Sequence, residues 1–276
     1  MLSIICCSIN NDYLNKLQIS INNSIDLNFE LLIHDNKINN LSISEAYNKY
    51  ASIAQYDYLV FVHEDVEFLN KGWANNLIQI LANSNNGIVG VAGSTYLPSV
   101  PSGWYLPDEK YNKVFIHQGF KYKEAQVRLD NQGLDMTSVY LLDGVFLAMR
   151  KDVWQEFPFD SELTGFHAYD VDISQRVSAK YQNIFTNQIE ILHKSEGKVD
   201  KTYFDAILNY KKKYFGFKYP KREYIVEIEL LKQLYKTLRC YDDKMFVVKQ
   251  LKPYRKMRIL GIKGYFQIYT FFKNAK

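Results

Sequence analysis

Tyr58-Leu59-Val60-Phe61-Val62 is a continuous apolar run that leads without a spacer into His63-Glu64-Asp65. A run this short and apolar is expected of a strand buried on both faces of a sheet. The three polar side chains then fall where the strand emerges at its carboxyl end, the edge at which open α/β sheets bind ligands. A carboxylate beside a His at that edge can hold a divalent cation, and the cation can hold a diphosphate. An isolated His-Glu-Asp is more often the solvated end of an ordinary strand. Its surroundings have to decide.

Those surroundings alternate between strand and helix. Leu2–Cys7 is an apolar strand, and Asn10–Asn23 follows at helical spacing through Leu14, Leu17 and Ile21. Phe29–His34 is a second strand ending in Asp35-Asn36. Ser42–Gln55 opens with a capping box, Ser42 followed three residues later by Glu45. The strand carrying His63 comes third, then a helix over Lys71–Ser84 with Trp73, Leu77, Ile80 and Leu81 on one face. Gly87–Gly93 is a fourth buried strand. This succession predicts an α/β fold: a Rossmann-like, mostly parallel sheet flanked by helices, with right-handed crossovers.

A chain of 276 residues, 47% of them hydrophobic, has ample material for one large α/β domain with an appendage. The charge locates the appendage. Residues 1–199 carry 15 basic and 23 acidic side chains, whereas residues 200–276 carry 19 and 7, so a body of −8 precedes a tail of +12. Domains are therefore expected at 1–199 and 200–276, the second mostly helical over Tyr203–Tyr214 and Glu223–Leu238. Three cysteines form no disulfide framework and suit a reducing cytoplasm. The opening MLSIICC lacks a basic flank and reads as a strand, not a signal peptide. No window reaches the ~18 apolar residues that a membrane-spanning helix needs.

Ser94–Asn112 interrupts the alternation with three prolines and a glycine around Trp104-Tyr105. A loop of this length inside a compact domain is usually functional or disordered. Its aromatics could stack on a sugar, close over a ligand or pack down as a plug. A hairpin is expected within Lys113–Asp130, and Met136–Arg150 reads as one or two strands broken at Asp143-Gly144. Further on, Tyr169–Tyr181 is helical, with Asp170 and Asp172 in or near its first turn. Carboxylates there complement the helix dipole, and Asp172 can pair with Arg176 four residues on. That account leaves unexplained why one sheet should carry an acidic strand end, an Asp-rich helix start after a Gly-aromatic turn, and His193 at the end of the strand Ile184–His193.

Taken together, VFVHEDV, DGVFLAMRKDVW, FD…GFHAYDVDISQR and ILHKSEG, in this order, resemble the family-2-type glycosyltransferases of the GT-A fold, specifically the bacterial capsule and streptomycin-cluster-like branch. The resemblance spans about Leu2 to Gly197. It implies a metal-dependent, inverting hexosyltransferase. Asp65 would meet Mn²⁺ (or Mg²⁺) in place of the family's Asp-X-Asp carboxylate, with His63 in the first Asp position and His193 as a third contact. Ser8, Asn10, Asp35, Asn48 and Glu64 would face the donor nucleotide. Asp170 would be the general base, with Tyr169 in place of the family's Glu. Asp143, Gly144, Trp104, His167 and Asp172 would lie around the donor and acceptor sugars, Asp172 helping to hold up the pKa of the base. The implied partners are a nucleotide-sugar donor, a UDP-sugar first, and a glycan or lipid-linked glycan acceptor.

The chemistry fits those residue types. Negative charge grows on a nucleoside diphosphate as the glycosidic bond breaks, and a hard dication neutralises it. The acceptor hydroxyl becomes a nucleophile when a base takes its proton, typically a ~10²–10⁴-fold effect. Two other readings stay open, a sugar-nucleotidyltransferase and a catalytically degenerate nucleotide- or glycan-binding domain. The first needs a Gly-rich basic loop after the first strand, where this chain has CSINNDYLNKL. The tail is expected to serve the acceptor side. In Pro253–Lys276, basic residues alternate with aromatics, as in a peripheral helix on the anionic inner face of the plasma membrane. The same aromatics could instead pack on the body or on a second copy of the chain. No nucleic-acid motif accompanies the charge.

Overall fold

In the computed structural model of this chain, residues 1–120, 123–130, 136–195, 197, 199–214, 217, 219–220 and 222–274 are described, with 120 and 123–130 taken by their backbone alone. Glu196 of ILHKSEG, the neighbouring Lys198, and Lys218, Lys221 and Lys276 of the basic segment lie outside the described residues.

Strand β1 (Leu2–Ser8), helix α1 (Asn11–Ser24), strand β2 (Phe29–Asp35), helix α2 (Ile43–Ile53) and strand β3 (Tyr58–His63) follow the expected alternation. Asn10 caps α1, and Ser42 and Glu45 close the predicted capping box on α2. β1 lies between β2 and β3, parallel to both. Leu2, Ile4, Cys6, Val60 and Val62 feed one hydrophobic cluster, while Ile5, Leu59 and Phe61 feed another. Alternate side chains of these strands are thus buried on opposite faces, which is why the sequence shows a continuous apolar run and no alternation.

The remaining elements of the body complete this sheet and add a second, smaller one beside it. They are β4 (Val66–Phe68), α3 (Trp73–Leu81), β5 (Asn86–Gly90), β6 (Ala92–Ser94), β7 (Asn112–Phe120), β8 (Lys123–Asp130), β9 (Met136–Val139), β10 (Leu141–Leu142), β11 (Phe146–Arg150), α4 (Lys151–Glu156), α5 (Tyr169–Val177), β12 (Gln182–Thr186) and β13 (Ile191–His193). The large sheet runs β2-β1-β3-β11-β5-β12-β9, and the smaller one β10-β6-β7-β13-β4 with β8 on β7. The architecture is the expected α/β sheet flanked by helices, with three of the six pairings in the large sheet parallel and three antiparallel. Three local expectations need correction. The single strand over Gly87–Gly93 is two, β5 in the large sheet and β6 in the small. Likewise Ile184–His193 divides into β12 and β13. Met136–Arg150 holds three strands, and β11 runs antiparallel to both β3 and β5. An apolar run reports burial, not which sheet buries it or in which direction it runs.

The tail forms α6 (Lys201–Lys212), α7 (Tyr224–Leu238), α8 (Lys244–Leu251) and α9 (Met257–Asn274), the last kinked at Gly261. Leu231, Leu234, Leu251, Leu260, Ile268 and Phe272 pack together and against Tyr96, Val100 and Leu106 of the long loop. Glu227, fully buried on α7, accepts hydrogen bonds from Tyr96 Oη (2.7 Å), Ser99 N (2.7 Å) and Val100 N (2.9 Å). The loop that presents Trp104 is therefore held from beneath by the tail. No helix among the described residues is long and apolar enough to cross a membrane.

Candidate active site

Strand register brings the polar ends together. Cys7 is opposite His63 and Ser8 opposite Asp35, so the residues after β1, β2 and β3 emerge side by side. Glu64 ties this edge down: its Oε2 accepts from Ser8 Oγ (2.6 Å), Ile9 N (2.9 Å) and Asn10 N (2.7 Å). Antiparallel β11, with Phe146 opposite Val62, delivers Asp143-Gly144 to the same edge. The small sheet supplies the rest, for β13 pairs with β4 and β7 so that His193 lies opposite both Val66 and Gln118. Backbone bonding from Lys194 N to Asp65 O (3.1 Å) locks His193 beside Asp65.

His63, Asp65 and His193 offer ligand atoms that all lie within 4.8 Å of one another, and theirs is the one such cluster among the described residues. His193 Nε2 is 3.5 Å from Asp65 Oδ2, and its Nδ1 meets Gln118 Oε1 at 3.2 Å. An amide oxygen can only accept, so Nδ1 carries the proton and Nε2 turns a lone pair toward Asp65. At His63 the ring Nε2 meets Tyr169 Oη (2.7 Å), while that hydroxyl donates to Gly144 O (3.1 Å). Nε2–H therefore donates to Tyr169, and Nδ1 keeps the lone pair. Burial pushes His63 down to about 4, and lowers His193 as well, in both cases against the pull of Asp65. Two neutral imidazoles oriented by neighbours and one carboxylate make a donor set suited to a divalent cation, with the nitrogens tilting the preference from Mg²⁺ toward Mn²⁺.

This cluster sits where two chambers meet. One, about 340 Å³, lies over Cys7, Ile9, Tyr13, Ile43 and Glu64. The other, about 470 Å³, is floored by Asp143, Gly144, Tyr169 and Asp170 and walled by Trp104, His167 and Tyr203. His63, Phe166 and Ser195 border both. In the larger chamber burial pushes Asp170 up to about 6, opposed by backbone donors that include Gly144 N at 3.2 Å and raised slightly by Asp172. Asp143 is pushed up to about 7, first by burial and then by the charge of Asp170. Both carboxyls are thus held where protonation changes close to physiological pH. Ala168, immediately before Tyr169-Asp170, is left-handed (φ 65°), a conformation that costs a non-glycine residue roughly 1–2 kcal/mol and marks a turn held for position. Gly144 has to be glycine, since a Cβ there would come within 2.0 Å of the Tyr169 hydroxyl.

The sequence matches the family described as "Glycosyltransferase like family" over residues 3–215. The chain belongs to that family. No curated protein matches it. Among solved structures, TarS 1–349 of S. aureus in complex with UDP aligns over 100% of this chain and 92% of its own at TM-score 0.59 and 11% identity. The complex of the same protein with UDP-GlcNAc aligns at 0.52 and 11%, over 100% and 92%. GalNAc-T7 with UDP, GalNAc and Mn²⁺ aligns at 0.55 and 9% over 99% of this chain, which spans only 57% of that one. At such identities the likeness establishes the fold, which is GT-A. The enzyme class read from the sequence, a nucleotide-sugar-dependent glycosyltransferase, agrees with the family.

Of the residues singled out in the sequence, His63, Asp65, His193, Asp143, Gly144, Trp104, His167 and Asp170 converge on the two chambers. Glu64 lines the smaller one, while Ser8 and Asn10 do not border it and each donate to the Glu64 carboxylate. Asp35 holds Lys37 N (3.0 Å) at the end of β2. Asn48 is occupied elsewhere: its amide bonds Phe159 at both N and O (3.0 and 2.7 Å) and the Trp154 indole (3.0 Å). Asp172 borders neither chamber. It is fully buried against Arg176 Nε (2.8 Å) and Tyr214 Oη (2.6 Å), the i,i+4 pair open to it from the start. Sequence reasoning missed Gln118, which no motif marks, and the supporting role of Tyr169. It also missed Ser195, although ILHKSEG contains it, and Phe166.

Proposed function

We propose that this protein transfers a hexose from a nucleoside-diphosphate sugar, a UDP-sugar, to a hydroxyl of a glycan acceptor with inversion. The observation that carries the reading is the meeting of the His63-Asp65-His193 cluster with the Asp143-Asp170 pair across one pair of chambers. The UDP and UDP-GlcNAc held by TarS, and the UDP and Mn²⁺ held by GalNAc-T7, support a UDP-type donor and Mn²⁺. A dication held by His63, Asp65 and His193 would neutralise the departing diphosphate. The nucleotide then occupies the smaller chamber over Cys7, Ile9 and Tyr13. Gln118 and Tyr169 keep the two imidazoles turned toward Asp65. A carboxylate oxygen of Asp170 takes the acceptor proton, and the nearby Asp143 favours proton pick-up by the pair near neutral pH.

Labour divides along the chain in this reading. Residues 1–199 hold the donor, and residues 200–276 build the acceptor side, since Tyr203 and Ile207 of α6 border the Asp170 chamber. On α9, Ile259, Leu260, Ile268 and Phe272 are buried, while Ile262 (68% exposed), Phe266 (60%) and Tyr269 (53%) share one face beside exposed Lys263 and Lys273. That face fits an anionic cytoplasmic leaflet, from which a lipid-linked acceptor of a surface glycan would be presented.

Calorimetry of UDP binding with and without Mn²⁺ tests the core of the proposal. Asp65→Ala should lose the Mn²⁺-dependent part of the affinity and keep its thermal midpoint. Unchanged affinity in that variant places the metal on the wrong strand.

A further inference from the structure

A third chamber opens off the Asp170 side of the site, about 210 Å³ in volume, and shares Gly103, Tyr105, Val199, Tyr203 and Ile207 with the catalytic cleft. Its far wall is α7, through Leu230, Gln233, Leu234 and Thr237. Tyr203 stands between the two spaces. Its ring is held edge-on by His167 (5.6 Å, 84°) and Phe204 (5.2 Å, 86°), and its hydroxyl lies so close to Gly103 that a Cβ there would come within 2.1 Å. It is therefore a fixed partition and not a freely rotating side chain. Tyr203 lines the catalytic chamber together with Asp143 and Asp170, and burial raises its phenol, with the charges of Asp170 and then Asp143 adding to the rise. The nucleotide chamber lies on the opposite side of the His63 cluster and shares no lining residue with this one.

The lining is mixed. Aromatic faces of Tyr105, Tyr203 and Phe204 combine with the hydroxyls of Ser102 and Thr237 and the amide of Gln233. Ligand sites of this kind use apolar faces for burial and a few polar groups for orientation. A pyranose ring offers both an apolar face and a rim of hydroxyls. A polyprenyl chain would leave the polar lining groups desolvated and unpaired. Resting on the glycosyltransferase reading above, we propose that this chamber is an acceptor subsite. It takes the sugar unit next to the one that presents the reacting hydroxyl, with Tyr203 as the platform between the two. Recognition of the acceptor would then extend at least one residue beyond the site of transfer, into a wall supplied by the basic helical segment.

The test is binding of matched glycoside pairs to the full chain in the presence of UDP and Mn²⁺. Suitable probes are the methyl glycosides of glucose, galactose and N-acetylglucosamine, each beside the methyl disaccharide carrying that unit at its non-reducing end. At least one disaccharide should bind ~10-fold or more tightly than its monosaccharide. Gln233→Trp fills the chamber from an exposed position and should cancel that gain, leaving UDP and monosaccharide affinities unchanged. Thr237→Phe, on the next turn of α7, should do the same. No disaccharide gain in any pair while UDP binds normally would overturn the subsite alone, as would a gain that survives both substitutions. Farnesyl phosphate binding that Gln233→Trp abolishes would overturn the assignment to sugar in favour of lipid. Failure of UDP itself to bind would bring down the glycosyltransferase reading and the subsite with it.

Discussion

Asp143→Asn should make this protein more stable at neutral pH. Burial and the charge of Asp170 push the Asp143 carboxyl up to about 7, from an ordinary 3.8. Because the folded value lies above the unfolded one, its contribution to stability is fully present below about pH 4 and is lost as pH rises through about 7. At about 1.36 kcal/mol per pH unit the gap corresponds to roughly 4 kcal/mol above neutrality. Asp143 keeps some exposure to the cleft, and solvent screening there reduces the usable figure to about 2 kcal/mol. Asparagine loses the titrating charge but keeps an oxygen for Val145 N, now 3.0 Å from Oδ1. At roughly 2–3 °C per kcal/mol for a chain of this size, the variant's thermal midpoint should exceed wild type by about 4–6 °C at pH 8. Scanning calorimetry of both proteins from pH 5 to 8 measures this, and the difference should widen as pH rises. A variant that melts at or below wild type throughout, or a difference independent of pH, would refute the argument that the cleft stores a buried like-charge pair. A stability gain together with lost activity is the signature of a site strained for function.

Asp170→Asn should lower turnover by ~10²-fold or more, roughly 3 kcal/mol of barrier, with UDP affinity retained; equal loss of donor affinity and thermal stability would point to a structural role instead. Since the base must be ionised and burial holds it at about 6, kcat/KM of wild type should fall as pH drops through about 6, and the same limb should be missing from the residual activity of the variant. Gln118→Ala removes the acceptor on His193 Nδ1 and should weaken Mn²⁺ binding ~10–100-fold in calorimetry while leaving metal-free UDP affinity unchanged. Sedimentation with anionic and neutral vesicles should show salt-sensitive binding to the anionic ones that Phe266→Ser and Lys263→Glu together diminish; indifference to anionic vesicles at low salt would end the membrane reading. Point substitutions are the right tool there, because Ile268 and Phe272 of the same helix are core residues.

Much of the fold could be read without coordinates, for a physical reason. Leu2–Cys7 and Tyr58–Val62 are apolar throughout because both faces of their strands are covered, and Ser42 and Glu45 declare a helix start through bonds made within four residues. Local chemistry of this kind is written locally. That His63, Asp65 and His193 would gather at one edge of the sheet was likewise legible, since polar side chains at the ends of apolar strands in a strand–helix series emerge together; the roles proposed for them and for Asp170 came from the resemblance. What the sequence left open were contacts between segments far apart in the chain. Whether Ala92–Ser94 joins the large sheet or the small one depends on which unpaired strand edges are in reach, and both choices bury the same side chains. The direction of β11 follows from pairing with β3 and β5, and that pairing alone brings Asp143 to the cleft. Gln118 stands beside His193 through a register set 75 residues away. In the tail, basic and aromatic residues alternate without saying which side faces inward. Packing of α9 on α7 buried Ile268 and Phe272 and left Phe266 and Tyr269 in solvent. Burial and local capping were the sequence's to determine, and partner, direction and register belonged to the tertiary structure, because they rest on bonds that exist only once the chain has closed on itself.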